Sequence, residues 1–282
     1  MGEVIYKQAK MRKQDFYAFL KQLFIDSGWI EISSREADGQ VFFSPGESGQ
    51  DELYVNLKEW QSSATASNML SGGGSQLMVR TLLGYTPGAK GGAGVFKAPA
   101  LTWGDCRIGD SANVMLDVIY YGDKDKVTFF TRRPSILDNY TCYYYLGKPI
   151  YFADGMESKY AICLTSFVDD VENARHPYNE YTRDNWAMTT VMNNNPKAQN
   201  ASGELVLNEL TFSDNGTNFG MFCKIDGIYV MTRDAKIMPY TYDKFDDIEL
   251  EIGDRKYKTI LLRTTSSSWQ SLPYFAMAYR VE

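Results

Sequence analysis

The sequence predicts a mainly β protein, antiparallel and sandwich- or barrel-like, with one amphipathic helix near the N-terminus and a long Gly-rich loop. Three observations carry that expectation. Runs rich in Val, Ile, Thr, Tyr and Phe recur along the chain between Gly, Asn and Asp clusters, which is the composition of strands joined by turns. Only one segment has helical spacing of its apolar residues. Finally, 20 Tyr, 15 Phe and 5 Trp stand against a single histidine, so the chain is rich in packing surface and poor in side-chain chemistry.

The elements follow in order. From Lys13 to Ser27, Phe16, Phe19, Leu20, Leu23 and Phe24 recur at helical intervals, and Gly28 stops the helix. Strands are expected at Trp29 to Ser33, Gln40 to Ser44 and Glu52 to Leu57. Ala37-Asp38-Gly39 supplies hairpin chemistry between the first two. Residues 1–60 thus read as a helix followed by a β-meander. Residues 61–104 turn to Ser, Ala and Gly, with Gly72-Gly73-Gly74 and a Gly-rich run from Gly88 to Gly94, and read as an extended loop or assembly arm. Walker spacing is not met there, which argues against a phosphate cradle.

Residues 105–170 form a central antiparallel region, with strands at Asn113 to Tyr121, Lys126 to Arg132, Tyr140 to Leu146 and Tyr160 to Phe167. The turn Gly122-Asp123-Lys124-Asp125 joins the first two of these. Its acids lack the glycine and terminal glutamate of a calcium loop, so they read as solvated turn charges. Residues 171–202 are a polar excursion holding the breaker Asn193-Asn194-Asn195-Pro196. Residues 203–282 are a C-terminal β region packing with the central one. Its strands are expected at Gly203 to Phe212, Gly220 to Cys223, Gly227 to Met231, Ile248 to Ile252, Lys256 to Arg263 and Tyr274 to Val281. The last of these is expected to tie the terminus into a sheet.

Composition bounds the function. No apolar run is long enough to span a membrane, and Met1 to Lys10 lack the apolar core of a signal peptide, so folding in a cytoplasm is expected. Cys106, Cys142, Cys163 and Cys223 form no CxxC pair and read as reduced packing residues. The sequons at Asn139, Asn200 and Asn215 read as chance in that compartment. A net charge of −6 without a Lys or Arg cluster argues against stable nucleic-acid binding.

Candidate chemistry is sparse. His176, the only histidine, precedes Pro177 on a polar stretch with Glu172, Glu180 and Asp184 nearby. A nucleophilic triad or a zinc site needs more partners than that, so a solvated loop histidine is expected. The densest acidic clusters, Asp169-Asp170 and Asp246-Asp247-Ile248-Glu249, read as turn or edge-strand charges rather than a glycosidase pair. Aromatics from Tyr140 to Tyr145 could stack on sugars, but alternation sends half of them into a core. No catalytic, cofactor-binding or metal-binding residue is expected, and the chain is not expected to be an enzyme.

Two blocks carry a resemblance. Asp125-Lys126-Val127-Thr128-Phe129-Phe130-Thr131-Arg132-Arg133 runs into Tyr140-Thr141-Cys142-Tyr143-Tyr144-Tyr145-Leu146-Gly147-Lys148-Pro149. A strand ending in a basic pair, then an aromatic strand ending in Leu-Gly, resembles tailed-bacteriophage virion proteins of the head-to-tail neck and tail. The opening helix, Ser27-Gly28-Trp29 and Asp51-Glu52-Leu53-Tyr54-Val55 are similar to a tail-terminator or neck protein. Lys224-Ile225-Asp226-Gly227-Ile228-Tyr229-Val230 and Tyr274-Phe275-Ala276-Met277 match the same picture. The resemblance implies a structural subunit of a ring such as a terminator or collar. Its partners would be copies of itself and other phage tail or neck proteins, in the virion, with no membrane and no stable nucleic-acid contact although DNA passes nearby. The alternatives are a baseplate component or a carbohydrate- or receptor-binding module of the tail tip, with a cell-wall hydrolase behind them.

Overall fold

The structure is a computed structural model. It describes residues 4–34, 39–61, 75–82, 84–88, 95–97, 104–106, 115–132, 142–148, 150–151, 161–165, 219–225, 228–238, 247–252, 255–262 and 275–282. In chain order the elements are β1 (Lys7–Arg12), α1 (Lys13–Asp26), β2 (Ile30–Ser33), β3 (Gln40–Ser44), β4 (Leu53–Gln61), β5 (Ser75–Leu82), β6 (Gly84–Thr86), β7 (Val95–Lys97) and β8 (Gly104–Cys106). They continue as β9 (Met115–Gly122), β10 (Lys126–Arg132), β11 (Cys142–Gly147), β12 (Ile150–Tyr151), β13 (Ile162–Thr165) and β14 (Phe219–Ile225). The last are β15 (Ile228–Met238), β16 (Glu249–Ile252), β17 (Arg255–Leu262) and β18 (Phe275–Arg280). Every strand pairing among them is antiparallel. The chain is therefore mainly β with one helix among the described residues, as its alternation and turn residues predict.

The helix begins at Lys13 and places Phe16, Leu20, Leu23 and Phe24 on its buried side. Its end is set by a Schellman motif. The Trp29 amide donates to the Phe24 carbonyl at 3.0 Å and the Gly28 amide to that of Ile25 at 2.9 Å. Gly28 takes φ +86°, where a side chain would be strained, and the Trp29 ring closes edge-on over Phe24 at 5.2 Å. Asp15 in the first turn suits the helix dipole, but the charges at the two extreme positions oppose it. Arg12 is the N-cap and the last turn holds no basic residue but ends at Asp26. Such placements cost about 0.3–1 kcal/mol each at an exposed end.

Two sheets and α1 share one apolar core. The central sheet runs β1-β9-β10-β11-β13 and the N-terminal sheet β2-β3-β4-β5-β8. Leu116, Val118, Val127, Phe129, Tyr144 and Leu146 from the first meet Phe42, Leu53, Val55 and Leu57 from the second, with the helix residues beside them. Period-2 alternation explains the choice: Val127 and Phe129 face this core, while Thr128 and Phe130 point the other way. Ring contacts fix the packing. Phe129 lies 4.9 Å from Tyr144 and 5.6 Å from Phe16, and Phe19 meets Tyr120 edge-on at 5.0 Å.

The opposite face of the central sheet meets the C-terminal sheet, whose strands run β12-β15-β18-β17-β16 with β14 also on β15. Tyr279 of β18 lies 5.7 Å from Tyr6 and 5.6 Å from Phe130, and accepts a hydrogen bond from Gln8 Nε2 at 3.1 Å. The Tyr6 amide donates to the Arg280 carbonyl at 2.9 Å. The C-terminal residues are held in the sheet by Val281 N donating to Lys256 O at 2.9 Å. No helix among the described residues is long and apolar enough to cross a membrane.

The structure corrects the sequence reading in two places. Residues 61–104 are not one extended loop: β5 pairs with β4 over eight residues, and β6, β7 and β8 lie in the same stretch. The strand Ser75–Leu82 carries the consecutive apolar run Leu77-Met78-Val79, but the glycines on both sides dilute that signal in any composition window. β1 is the second omission. Its Lys-Gln-Ala-Lys-Met-Arg sequence alternates only through Ala9 and Met11, a signal too short to stand out, and the lysines of this outermost strand oppose edge-to-edge pairing. The polar excursion 171–202 and the strand expected at Gly203 to Phe212 lie outside the described residues.

Candidate functional site

The densest polar cluster among the described residues lies around the turn between β9 and β10. Asp123 Oδ1 accepts hydrogen bonds from the Asp125 and Lys126 amides, each at 2.9 Å, which makes the chain reverse direction on a carboxylate. Its other oxygen accepts from the Tyr121 hydroxyl at 2.9 Å and lies 3.7 Å from Lys126 Nζ. That ammonium also stands 5.5 Å from the centre of the Tyr121 ring.

Three segments distant in sequence tie themselves to this turn. Trp29 Nε1 donates to the Asp123 carbonyl at 2.9 Å, which anchors the helix exit. Ser44 Oγ donates to the Lys124 carbonyl at 2.5 Å and the Glu47 amide to Asp125 Oδ1 at 2.7 Å, which anchors the β3–β4 connection. The Lys148 amide donates to the Asp125 carbonyl at 2.8 Å, which anchors the end of β11. Beside these contacts Lys148 Nζ forks onto both oxygens of Asp51, at 2.9 and 3.0 Å, and Ser48 Oγ donates to Asp51 Oδ2 at 2.7 Å. The Asp51 side chain is only 7% exposed and that of Lys148 18%.

Chemically this arrangement is closed. The carboxylates of Asp51 and Asp123 have both oxygens engaged by protein donors, Asp51 at 7% exposure and Asp123 at 24%. Among the described residues no group of His, Cys, Asp and Glu could hold a metal ion. The reading of Asp123 and Asp125 as solvated turn charges is therefore corrected. Both are half-buried and bonded: Asp123 by donors of its own turn, the Tyr121 hydroxyl and the Asp125 and Lys126 amides, and Asp125 by the Glu47 amide from a distant connection.

A second charged group crosses the other face of the central sheet. Asp117 sits between Lys10 Nζ at 3.8 Å and Arg132 Nη2 at 3.6 Å, in a row set by the β1-β9-β10 register. Its Oδ1 is buried without a hydrogen bond.

Tyr144 and Tyr145 are fully buried, so they pack and do not stack on a sugar. Asp247 and Glu249 fall at a turn and on the outermost strand β16, as the acidic cluster predicts. The four cysteines stand on β8, β11, β13 and β14. His176, Glu172, Glu180, Asp184, Asp169, Asp170 and the three sequons lie outside the described residues. Asp51 and Lys148 escaped the sequence reading because the partners are 97 positions apart and belong to no spacing motif.

Neither a protein-family model nor a curated protein matches this chain.

Proposed function

We propose that the chain is a structural subunit of a tailed-bacteriophage particle, part of a terminator- or collar-like ring in the neck or tail, and works through contacts with copies of itself and with neighbouring phage proteins. In this reading the central and N-terminal sheets form a β-sandwich closed at one side by α1. The observation that carries it is the use of the densest polar cluster. Asp51, Asp125 and Lys148 are committed to ties between segments and Asp123 to closing its own turn, which suits a rigid building block. The two blocks that resemble phage neck and tail proteins support the same role, and both contribute to that cluster through Asp125, Lys126 and Lys148.

The charge balance fits a ring through which DNA passes. With a net charge of −6 the surface repels phosphates over a Debye length of about 8 Å at physiological salt, so a genome would slide without being held. The test is compositional. Mass spectrometry of purified particles from a phage encoding this chain should find it in stoichiometric copies, and the purified protein should neither bind double-stranded DNA nor release peptidoglycan fragments. Its absence from finished particles, or a peptidoglycan-release activity, would sink the reading.

A further inference from the structure

Two outermost strands of this fold carry opposite charge. β1, at one end of the central sheet, holds Lys7, Lys10 and Arg12 and no acid, and all three are exposed. β16, at one end of the C-terminal sheet, holds Glu249 and Glu251 and no base, and both are exposed. Among the described outermost strands, β16 alone carries acids at alternate positions. Most of these groups are uncommitted within the chain. Arg12, Glu249 and Glu251 form no ion pair among the described residues, and Lys10, 3.8 Å from Asp117, keeps 78% of its side chain exposed. The lysines across from the two acids on β17 are held by other carboxylates, Lys256 by Glu282 at 2.6 Å and Lys258 by Asp247 at 3.4 Å.

Strand alternation fits the two edges to each other. In an antiparallel ladder with Arg12 opposite Glu249, Met11 meets Leu250 and Lys10 meets Glu251. The charged pairs then share one face and the apolar pair takes the other, where Met11 and Leu250 are each half-buried in the single chain. Along the charged face the signs alternate across five strands, from Lys256 through Glu251, Lys10 and Asp117 to Arg132, and all but the Glu251 to Lys10 step are cross-strand neighbours within one chain. Like edges fit badly, since two β1 edges set cations against cations and two β16 edges set carboxylates against carboxylates. The occupant that suits each edge is the other edge, on a second copy of the chain.

We propose that β1 of one copy adds to β16 of the next as an antiparallel neighbour, so that the central sheet of one subunit continues into the C-terminal sheet of another. The contact joins two different surfaces and can therefore repeat from copy to copy, as a ring requires. The inference rests on the reading that this chain works through contacts between its copies, and it names the surfaces.

The test reverses the one charged pair in which neither partner has an ion pair in its own chain. Full-length protein is followed by sedimentation velocity over a concentration series, with amide exchange measured on the same samples. Wild type should associate, more weakly as salt is raised. Arg12→Glu and Glu249→Arg should each weaken association about tenfold. The double variant, and an equimolar mixture of the two single variants, should recover most of the loss, a recovery that misfolded chains would not show. Amides of β1 and β16 should exchange more slowly as the copies associate, because strand addition ties up backbone groups that a contact through side chains alone leaves open. A wild type that stays monomeric to hundreds of micromolar, a mixture that fails to recover, or association without protection of β1 and β16 overturns the inference. Mass spectrometry of particles decides the virion role separately: a monomer found in particles removes only this contact, whereas a swap-sensitive oligomer absent from particles removes only that role.

Discussion

Replacing Lys148 by Met tests whether the Asp51–Lys148 pair holds the turn cluster together. The substitution keeps the aliphatic stem and removes the ammonium that forks onto Asp51 at 2.9 and 3.0 Å. Breaking a fully buried pair from one side costs about 3–5 kcal/mol, because the other charge stays buried without compensation. Asp51 is close to that limit at 7% exposure, yet it keeps the hydrogen bond from Ser48, so a loss of about 2–3 kcal/mol is expected. The converse change, Asp51→Asn, leaves a lysine that is 18% exposed and can reach water, so it should cost less, about 1–2 kcal/mol. The double variant should cost little more than the milder single one, which corresponds to a coupling of about 2 kcal/mol. Urea unfolding followed by fluorescence and far-ultraviolet dichroism gives these values, provided the two probes coincide. A loss below about 0.5 kcal/mol for Lys148→Met, or additive single changes, would refute the claim that this pair anchors the cluster.

Three further outcomes follow from the same geometry. Gly147→Ala would place a Cβ against the Asp125 carbonyl oxygen and 2.5 Å from Lys126 Cα, both backbone atoms, so thermal melting should show a loss of at least about 2 kcal/mol. The Tyr54 phenol is pushed above 10.0, by burial first and by Glu52 second. The fold thus favours the neutral phenol; that stability is complete below the unfolded value and is lost as pH rises through the folded one. Phenolate absorbance, compared with Tyr54→Phe, should place its titration above that of free tyrosine, and Glu52→Gln should lower it only in part. Lys256 is raised above 10.5 by its hydrogen bond to Glu282, then by the charge of Glu282, against desolvation, with Glu251 and Glu249 adding least. The folded state favours the ammonium, so the pair contributes fully below the ordinary lysine range and fades as pH climbs through the raised value. Urea midpoints of wild type and Glu282→Gln should accordingly converge in strong alkali, and a gap unchanged there would refute the pairing.

Local pattern was enough for the elements whose signal is local. The five apolar positions from Phe16 to Phe24 mark one face of α1, and Gly28 marks its end, because periodicity and a left-handed turn residue act within a few positions. β10 and β3 start and stop where alternation and turn residues put them, at Lys126 and Arg132 and at Gln40 and Ser44. Burial of Tyr144 was also foreseeable, since a strand inside a sheet sends alternate residues into a core.

What needed the tertiary structure was whatever depends on partners far away in the chain. β1 carries only Ala9 and Met11 as a strand signal and exists because β9 offers it a six-residue ladder. β5 is hidden among glycines until β4 pairs with it. The carboxylates of Asp51 and Asp123 look like ordinary surface acids in sequence. Lys148 reaches the first from 97 positions away, while the second is bonded within its own turn, and folding alone brings Trp29, Ser44 and Glu47 to the carbonyls of that turn and to Asp125. Sequence thus determined the helix and those strands whose pattern is local, because those preferences arise from sterics and alternation over neighbouring residues. The fold decided which polar groups are solvated and which are structural, because desolvation and hydrogen-bond partners are set by segments that meet only in space.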